Sequence, residues 1–323
     1  MEMTVTVLLP VEERHKEILE SAAPAYRFRY RTPETVTREE LDDTDILIGN
    51  PTASLLHGSP RLKWLQCNSA GTEPFLQPGV LHPGTLLTNA TGAYGLAISE
   101  HMLGMLLELF KKLHAYRDAQ HLHQWKSLGR VRSIEGATVL VLGMGDIGGE
   151  FARKVKALGA TVIGVRRTDT RKPDYVDELY LTEELDSLLP RADVVAVTLP
   201  GNRETAGMLS RKRIENMKEG AVLLNVGRGM IVDTEALCDG LESGHLGGVG
   251  LDVTDPEPLP QNHRLWDLPN AVITPHISGF YHLPETLERI VRISAENLRA
   301  YVSGNPLRNQ VDFSTGYRKL VEF

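Results

Sequence analysis

Three segments of the 323-residue sequence carry side chains that could bind an anion and move a proton. Arg228 stands between two glycines after an apolar run, and its guanidinium has the donor geometry that suits a carboxylate. Glu257 follows a second apolar run, and His276 follows a third. A carboxylate beside the imidazole would stabilise the protonated form of the histidine. Together the three residue types could anchor an acid and protonate an oxygen, as the reduction of a ketone requires.

Each of these residues also has a simpler interpretation when it is considered alone. Arg228 could be a surface charge, Glu257 a solvated acid in a turn, and His276, one of eleven histidines, a structural hydrogen-bond partner. Their common position after apolar, β-type runs favours the chemical interpretation. In doubly wound folds, the carboxyl ends of the strands face the ligand.

A glycine-rich loop offers a site for a dinucleotide. The segment TVLVLGMGDIG has the form strand, G-x-G-x-x-G, helix, and its glycines are Gly143, Gly145 and Gly148. The first permits a tight turn, the second lets the backbone approach a pyrophosphate, and the third allows close packing of helix on strand. The pyrophosphate would lie at the helix N-terminus, at Asp146 and Ile147. A glycine-rich turn without a ligand is the alternative, but the flanking elements favour a dinucleotide site.

The end of the following strand bears on the choice of cofactor. An NAD site usually has an acidic residue there, on the ribose hydroxyls. This sequence has Arg166, Arg167 and Thr168, which can bind a 2′-phosphate through charge-assisted hydrogen bonds of ~1.5–3 kcal/mol each. The sequence therefore predicts NADP(H) as the preferred cofactor. Two solvated arginines are the alternative interpretation, and NAD(H) stays open because Asp169 lies close by.

The elements that must position these residues form two α/β series, which predict parallel sheets. The first has β-type runs at 4–9, 26–30, 45–48 and 62–67. The second has runs at 138–142, 161–165, 193–199, 221–226, 248–253 and 271–274, a final helix at 284–303 and a last strand-like piece at 310–313. Between the series, apolar residues recur every three or four positions, which predicts one long helix from Ser99, as its cap, to Leu122.

Composition and charge exclude several classes of protein. The length suggests about two domains, and 41% hydrophobic with 24% charged residues excludes disorder and coiled coil. A net charge of −7 argues against wholesale binding to nucleic acid or an anionic membrane. The two cysteines lie far apart without metal-ligand spacing, so neither disulfide nor metal is predicted. Without a membrane span of ~20 apolar residues or a secretory leader, a cytoplasmic location is predicted.

The sequence resembles the D-isomer-specific 2-hydroxyacid dehydrogenases, a family that includes glyoxylate and hydroxypyruvate reductases. The matching motifs are VLGMGDIG, NVGRGMIVD, GLDVTDPEPLP and TPHISG, in that order and at family-like separations. The resemblance implies a catalytic triad in which Arg228 binds the substrate carboxylate and carbonyl. His276 would be the acid and base, and Glu257 its partner. Asp252 would receive the nicotinamide carboxamide.

The resemblance also implies how the chain is divided. A flavodoxin-like α/β substrate domain would comprise residues 1–99 and 285–323, and a Rossmann-type cofactor domain, with a doubly wound parallel sheet, residues 100–284. Hinges near Ser99 and Pro284 would let the domains close over substrate. A homodimer is implied as well, formed through the helix from Ser99 to Leu122 and the segment Gln124–Trp125.

Further contacts follow from the same resemblance. The substrate carboxylate would meet the backbone N–H groups of Ser69, Ala70 and Gly71, with Tyr94 lining the pocket. The remaining cofactor contacts would come from four residues at or beyond the ends of strands of the second series: Leu199, Pro200, Thr205 and Val226. Two features depart from the family pattern: the paired arginines after the second strand, and Phe280–His282 after the catalytic histidine, which leaves the substrate's size open.

These observations predict an NADPH-dependent reductase of small 2-keto acids, of the glyoxylate or hydroxypyruvate type, that yields D-2-hydroxy acids. A phosphite-type dehydrogenase is one alternative. The resemblance implies glutamine instead of Glu257 in the formate branch, which argues against formate but not against phosphite. A non-catalytic NAD(P)-sensing protein, like the corepressors that share this fold, is the second alternative.

Overall fold

The computed structural model describes residues 2–168, 171–316 and 318–319, and these form two compact units. The terminal unit takes its described residues from Met1–Tyr94 and Leu283–Phe323, and the central unit from Gly95–His282. The boundaries expected after residues 99 and 284 fall inside two helices, which begin at Gly95 and Pro284. A helix forms cooperatively, and the units part immediately before each of these helices.

The terminal unit contains a parallel sheet of five strands in the order β2-β1-β3-β4-β5, which is the order of flavodoxin-like folds. The strands are β1 (Thr4–Val7), β2 (Arg27–Tyr30), β3 (Ile46–Ile48), β4 (Trp64–Gln66) and β5 (Leu86–Thr88). Its helices are α1 (Glu13–Ala22), α2 (Arg38–Asp42) and the C-terminal α9 (Pro284–Val302). The side chain of Asn297 on α9 donates to Gln66 Oε1 over 2.8 Å, which ties the returning chain to the sheet.

The central unit contains a parallel sheet of seven strands in the order β12-β11-β10-β9-β6-β7-β8. The strands are β6 (Thr138–Leu142), β7 (Thr161–Arg166), β8 (Glu178–Leu181), β9 (Val194–Val197), β10 (Ala221–Asn225), β11 (Leu246–Leu251) and β12 (Ala271–Ile273). The helices are α3 (Gly95–Lys111), α4 (Leu113–His121), α5 (Asp146–Ala157), α6 (Leu185–Leu188), α7 (Arg211–Glu215) and α8 (Thr234–Glu242). The strand order reverses between β6 and β9, as in a doubly wound, Rossmann-like fold.

The long helix predicted from Ser99 to Leu122 is wrong in both its start and its continuity. The helix begins at Gly95, whose N–H donates to the Asp146 carboxylate over 2.9 Å, while the Ser99 hydroxyl donates to a carbonyl within α3. Lys112, with a left-handed φ of 57°, separates α3 from α4. Its Nζ donates to the carbonyl of Leu128 over 2.6 Å, so a contact distant in sequence accompanies the break.

Three short pieces also differ from the sequence analysis. Strands β5 and β8 were not predicted, and each is only three or four residues long. Residues 310–313 do not form a strand but make isolated bridges, Gln310 with Thr88 and Val311 with Arg318. In the described part of the chain, no helix combines the length and the apolar character that crossing a membrane requires.

Candidate active site

The carboxyl ends of the central strands bring most of the predicted site residues to one edge of the sheet. Since the strands are parallel, the segments that follow them leave the sheet on the same side. These segments begin at Gly143 after β6, Arg167 after β7, Thr198 after β9, Val226 after β10, Asp252 after β11 and Thr274 after β12. This is the edge at which doubly wound folds bind their ligands.

His276 and Glu257 form a hydrogen-bonded pair at this edge. The distance from His276 Nδ1 to Glu257 Oε1 is 2.7 Å, and each side chain is 43% exposed. A carboxylate accepts only, so Nδ1 carries the proton and donates it to the glutamate. Within the described residues, Nε2 of His276 has no hydrogen-bond partner and is available to a substrate oxygen.

The backbone of His276 adopts a conformation that non-glycine residues rarely occupy. Its φ is 54°, and its N–H donates to the carbonyl of Asp252 over 2.8 Å. The Asp252 side chain is 1% exposed, and its carboxylate accepts from the hydroxyl of Thr274 and from groups of Ile277 and Ser278. The role that the resemblance gives Asp252, as acceptor for the nicotinamide, stays a prediction.

Arg228 lies in a loop whose path depends on close backbone contacts. Asn225 holds this loop, because its side-chain oxygen accepts from Gly227 N and its amide donates to Arg228 O, each over 3.0 Å. A Cβ atom on Gly229 would lie 1.9 Å from the carbonyl oxygen of Thr254, so only glycine fits there. The contact joins the loop of Arg228 to the segment that leads to Glu257. Sequence reasoning assigned no role to Asn225 or Gly229.

The glycine loop, Gly143–Gly148, adopts a backbone geometry that two of its three glycines make possible. Gly143 has a φ of 98°, and a Cβ on Gly148 would lie 1.9 Å from the Gly143 carbonyl oxygen. A Cβ on Gly145, in contrast, would meet nothing within 4 Å. The loop therefore leaves open space at the glycine predicted to approach a pyrophosphate, next to the N-terminus of α5. Thr198, which the sequence analysis did not single out, donates its hydroxyl to Gly143 O over 2.7 Å.

Arg166 lies against the glycine loop. It ends β7, and its Nη2 donates to the carbonyl of Met144 over 3.1 Å. Arg167 and Thr168 follow and are exposed. Asp169, the acidic residue that left NAD(H) as an alternative cofactor, lies outside the described residues.

The remaining residues predicted for the cofactor site lie after β9, after β10 and at the start of α5. Thr205 is buried, and its hydroxyl donates to the carbonyl of Pro200 over 2.7 Å. A Cβ on Gly201 would lie 2.9 Å from Cγ of Arg228, so the arginine stem passes close to this loop. Leu199 is partly buried and Val226 is buried. Asp146 is the first residue of α5, and its carboxylate accepts a hydrogen bond from the N–H of Gly95.

The loop of Ser69, Ala70 and Gly71 in the terminal unit is fixed through its oxygen atoms. Asn50 donates to the Ser69 hydroxyl over 2.9 Å, and Asn89 donates to the Ala70 carbonyl over the same distance. In the described residues, the three backbone N–H groups of this loop donate to no protein acceptor. Three such groups in succession suit an anion. The Tyr94 hydroxyl donates to the carbonyl of Asn68, the residue immediately before this loop, and so supports the loop.

The fold and this edge define a nicotinamide-dependent oxidoreductase of the two-unit α/β type. The family model for the D-isomer specific 2-hydroxyacid dehydrogenase NAD binding domain matches residues 103–278. The chain belongs to this family, as the resemblance predicted.

Individual relatives agree with that assignment. A D-isomer specific 2-hydroxyacid dehydrogenase family protein of Aeromonas salmonicida is 32% identical, with a TM-score of 0.86 over 97% of this chain and 100% of that one. An NADPH-dependent glyoxylate/hydroxypyruvate reductase of Sinorhizobium meliloti, solved with NADP and sulfate, is 27% identical, with a TM-score of 0.82 over 98% and 100%. A glyoxylate reductase of Thermococcus litoralis is 29% identical over 87% of each chain.

Proposed function

We propose that this protein reduces a small 2-keto acid, of the glyoxylate or hydroxypyruvate type, to the D-2-hydroxy acid with NADPH. The hydrogen-bonded pair of His276 and Glu257 carries the proposal, because it leaves Nε2 ready to protonate a keto oxygen. The reductases named above support the substrate class. The open space at Gly145 fits a pyrophosphate.

The residues of the chain then have separate tasks. The nicotinamide, when bound, supplies the hydride that reaches the keto carbon. Arg228 binds the substrate carboxylate and stabilises negative charge on the oxygen. His276 donates its Nε2 proton to that oxygen, while Glu257 stabilises the cationic ring before the transfer. The N–H groups of the loop Ser69–Gly71 bind a carboxylate.

The proposal is tested by a steady-state screen of the purified protein. Glyoxylate, hydroxypyruvate and pyruvate are each assayed with NADPH and with NADH, while phosphite and formate are assayed with NADP⁺ and NAD⁺. We expect turnover of at least one keto acid and preference for NADPH. Turnover of phosphite or formate alone would contradict the substrate class. Tight NADP(H) binding with no turnover would instead favour a sensor.

We further propose that Arg166 and Arg167 select NADPH. Replacing both with alanine is expected to lower the ratio of kcat/KM with NADPH to that with NADH by at least about tenfold, because each lost charge-assisted bond contributes ~1.5–3 kcal/mol. Arg299→Ala, on the exposed face of α9 in the terminal unit, removes a positive charge from a residue outside the predicted cofactor site and serves as the control. An unchanged ratio would show that the two arginines do not recognise the 2′-phosphate.

We also propose that the protein is a homodimer formed through residues 113–131. Large apolar side chains on this stretch are exposed in the single chain: Leu113, Leu122, Trp125 and Val131. Exposed large apolar side chains that cluster on a surface mark an interaction site, and four of them lie within this one stretch of the sequence. Trp125→Ser with Leu122→Ser is expected to yield monomers in light scattering coupled to size exclusion, whereas wild type has twice the chain mass. A monomeric wild-type protein would contradict the proposal.

A further inference from the structure

A histidine outside the proposed triad is linked by hydrogen bonds to the segment that carries His276. His101 lies on α3, and its Nε2 is 2.9 Å from Oγ1 of Thr274. Oγ1 of Thr274 is 2.6 Å from Oδ1 of Asp252. Asp252 and His276 come 151 and 175 positions after His101 (252 − 101 and 276 − 101), so this link exists only in the folded unit.

The donors around Asp252 determine the direction of each hydrogen bond. Oδ1 also accepts from the N–H of Ile277 over 2.9 Å, and Oδ2 accepts from the N–H of Ser278 over 3.0 Å and from its hydroxyl. A carboxylate accepts hydrogen bonds and does not donate them, and these four donors engage both of its oxygens. Thr274 therefore donates its single hydroxyl proton to Asp252. Its oxygen accepts from His101, whose Nε2 must carry a proton.

The same carboxylate holds the backbone beyond His276. The N–H groups of the two following residues bind the side chain of Asp252, and the N–H of His276 binds the carbonyl of that aspartate. With a φ of 54°, His276 needs such restraint, because a left-handed non-glycine residue persists only where its surroundings impose it. Asp252 therefore restrains the backbone from which the imidazole of His276 projects.

His101 is also the basic side chain next to this buried carboxylate. Its Nε2 is 4.0 Å from Oδ1 of Asp252. In the described chain, no other Lys, Arg or His nitrogen lies within 4.0 Å of the carboxylate of Asp252, which is 1% exposed. A buried carboxylate needs its donors, and losing one leaves it under-solvated. His101 and Thr274 thus complete the hydrogen-bonded environment that holds the Asp252 side chain in place.

We propose that His101 and Thr274 are positioning residues for the reaction of His276. His101 orients the hydroxyl of Thr274, the hydroxyl completes the donor set of Asp252, and Asp252 fixes the backbone of the histidine. Neither His101 nor Thr274 touches the reacting atoms in this scheme. The proposal rests on the proposed function for its kinetic consequence, but its structural consequence is independent of any substrate.

The kinetic test compares four variants of the full chain. Thr274→Val and His101→Leu remove a donor without adding charge, and each is expected to lower kcat about tenfold with little change in KM for NADPH. Thr274→Ser and His101→Gln keep a donor and are expected to restore most of the lost kcat. Thr161→Val, at an exposed strand position, is the matched control. Melting temperatures of all variants identify any that fold poorly.

The structural test measures hydrogen exchange of the Ile277 and Ser278 amides by NMR, in the absence of substrate. Thr274→Val and His101→Leu are expected to speed exchange of these two amides by about tenfold, with Thr274→Ser and His101→Gln close to wild type. Exchange at Val222 and Leu223, in the centre of β10, should not change. Exchange at 277 and 278 that is equal in all variants overturns the proposal. Inactivity of the wild-type protein on every keto acid contradicts only the proposed function.

Two further outcomes count against the positioning role. If the kcat of His101→Gln is as low as that of His101→Leu, a hydrogen-bond donor at position 101 does not support turnover, and the proposal is wrong. If the effects of Thr274→Val and His101→Leu on the exchange free energy simply add in the double variant, the two residues do not act through one chain of bonds. A double variant no worse than the worse single one supports the scheme.

Discussion

Replacing His276 with alanine is expected to lower kcat for keto-acid reduction by about 10²–10⁴-fold, the usual contribution of a general acid. The reason is that Nε2 is the one ring nitrogen left for the substrate once Nδ1 is bonded to Glu257. The affinity for NADPH should stay near the wild-type value, because the glycine loop and Arg166 do not depend on this side chain. Fluorescence titration of NADPH measures that affinity separately from turnover.

A second substitution separates loss of the proton donor from disturbance of the backbone. Position 276 has a φ of 54°, which asparagine adopts more readily than alanine. His276→Asn should therefore retain the fold and still lose most of the turnover. Glu257→Gln keeps a hydrogen-bond acceptor but removes the charge that stabilises the cationic ring, so its kcat should lie between those of wild type and His276→Asn. Near-normal turnover in either histidine variant would exclude the acid role.

The sheet of the central unit was largely predictable because its strands are buried on both faces. Such strands read as continuous apolar runs, as TVLVL in β6 and AVLLN in β10 do. The turn chemistry after β6 is equally local, since the backbone at Gly143 and the close approach at Gly148 each demand glycine. Placing the glycine loop and the residues after the strands needed no tertiary information.

Contacts between segments that are distant in the sequence could not be predicted from local patterns. The start of α3 is determined by Asp146, 51 positions from Gly95, and this outweighs the local capping signal of Ser99. The link from His101 to Thr274 spans 173 positions. Nothing in the sequence near His101 distinguishes it from the other histidines. The site's chemical groups are therefore evident from motifs, whereas the side chains that hold them in place are not.

The glycine loop yields the prediction with the sharpest contrast between two neighbouring positions. Gly148→Ala is expected to destabilise the fold by ~1–3 kcal/mol or more, because the added Cβ would lie 1.9 Å from a backbone oxygen of Gly143. Gly145→Ala should leave the melting temperature nearly unchanged, since its Cβ meets nothing within 4 Å and its φ of −81° suits alanine. The two variants are compared by thermal unfolding without cofactor.

Cofactor binding should rank the same variants differently. If the open space at Gly145 is where the pyrophosphate approaches, Gly145→Ala should weaken NADPH binding by at least about tenfold although its fold is intact. Gly104→Ala, at an exposed helical position with nothing near its Cβ, adds the same methyl group and should slightly stabilise the protein without affecting NADPH. Wild-type affinity in Gly145→Ala would mean that the pyrophosphate does not bind against this glycine. In that case turn geometry and packing would account for Gly143 and Gly148, but not for Gly145.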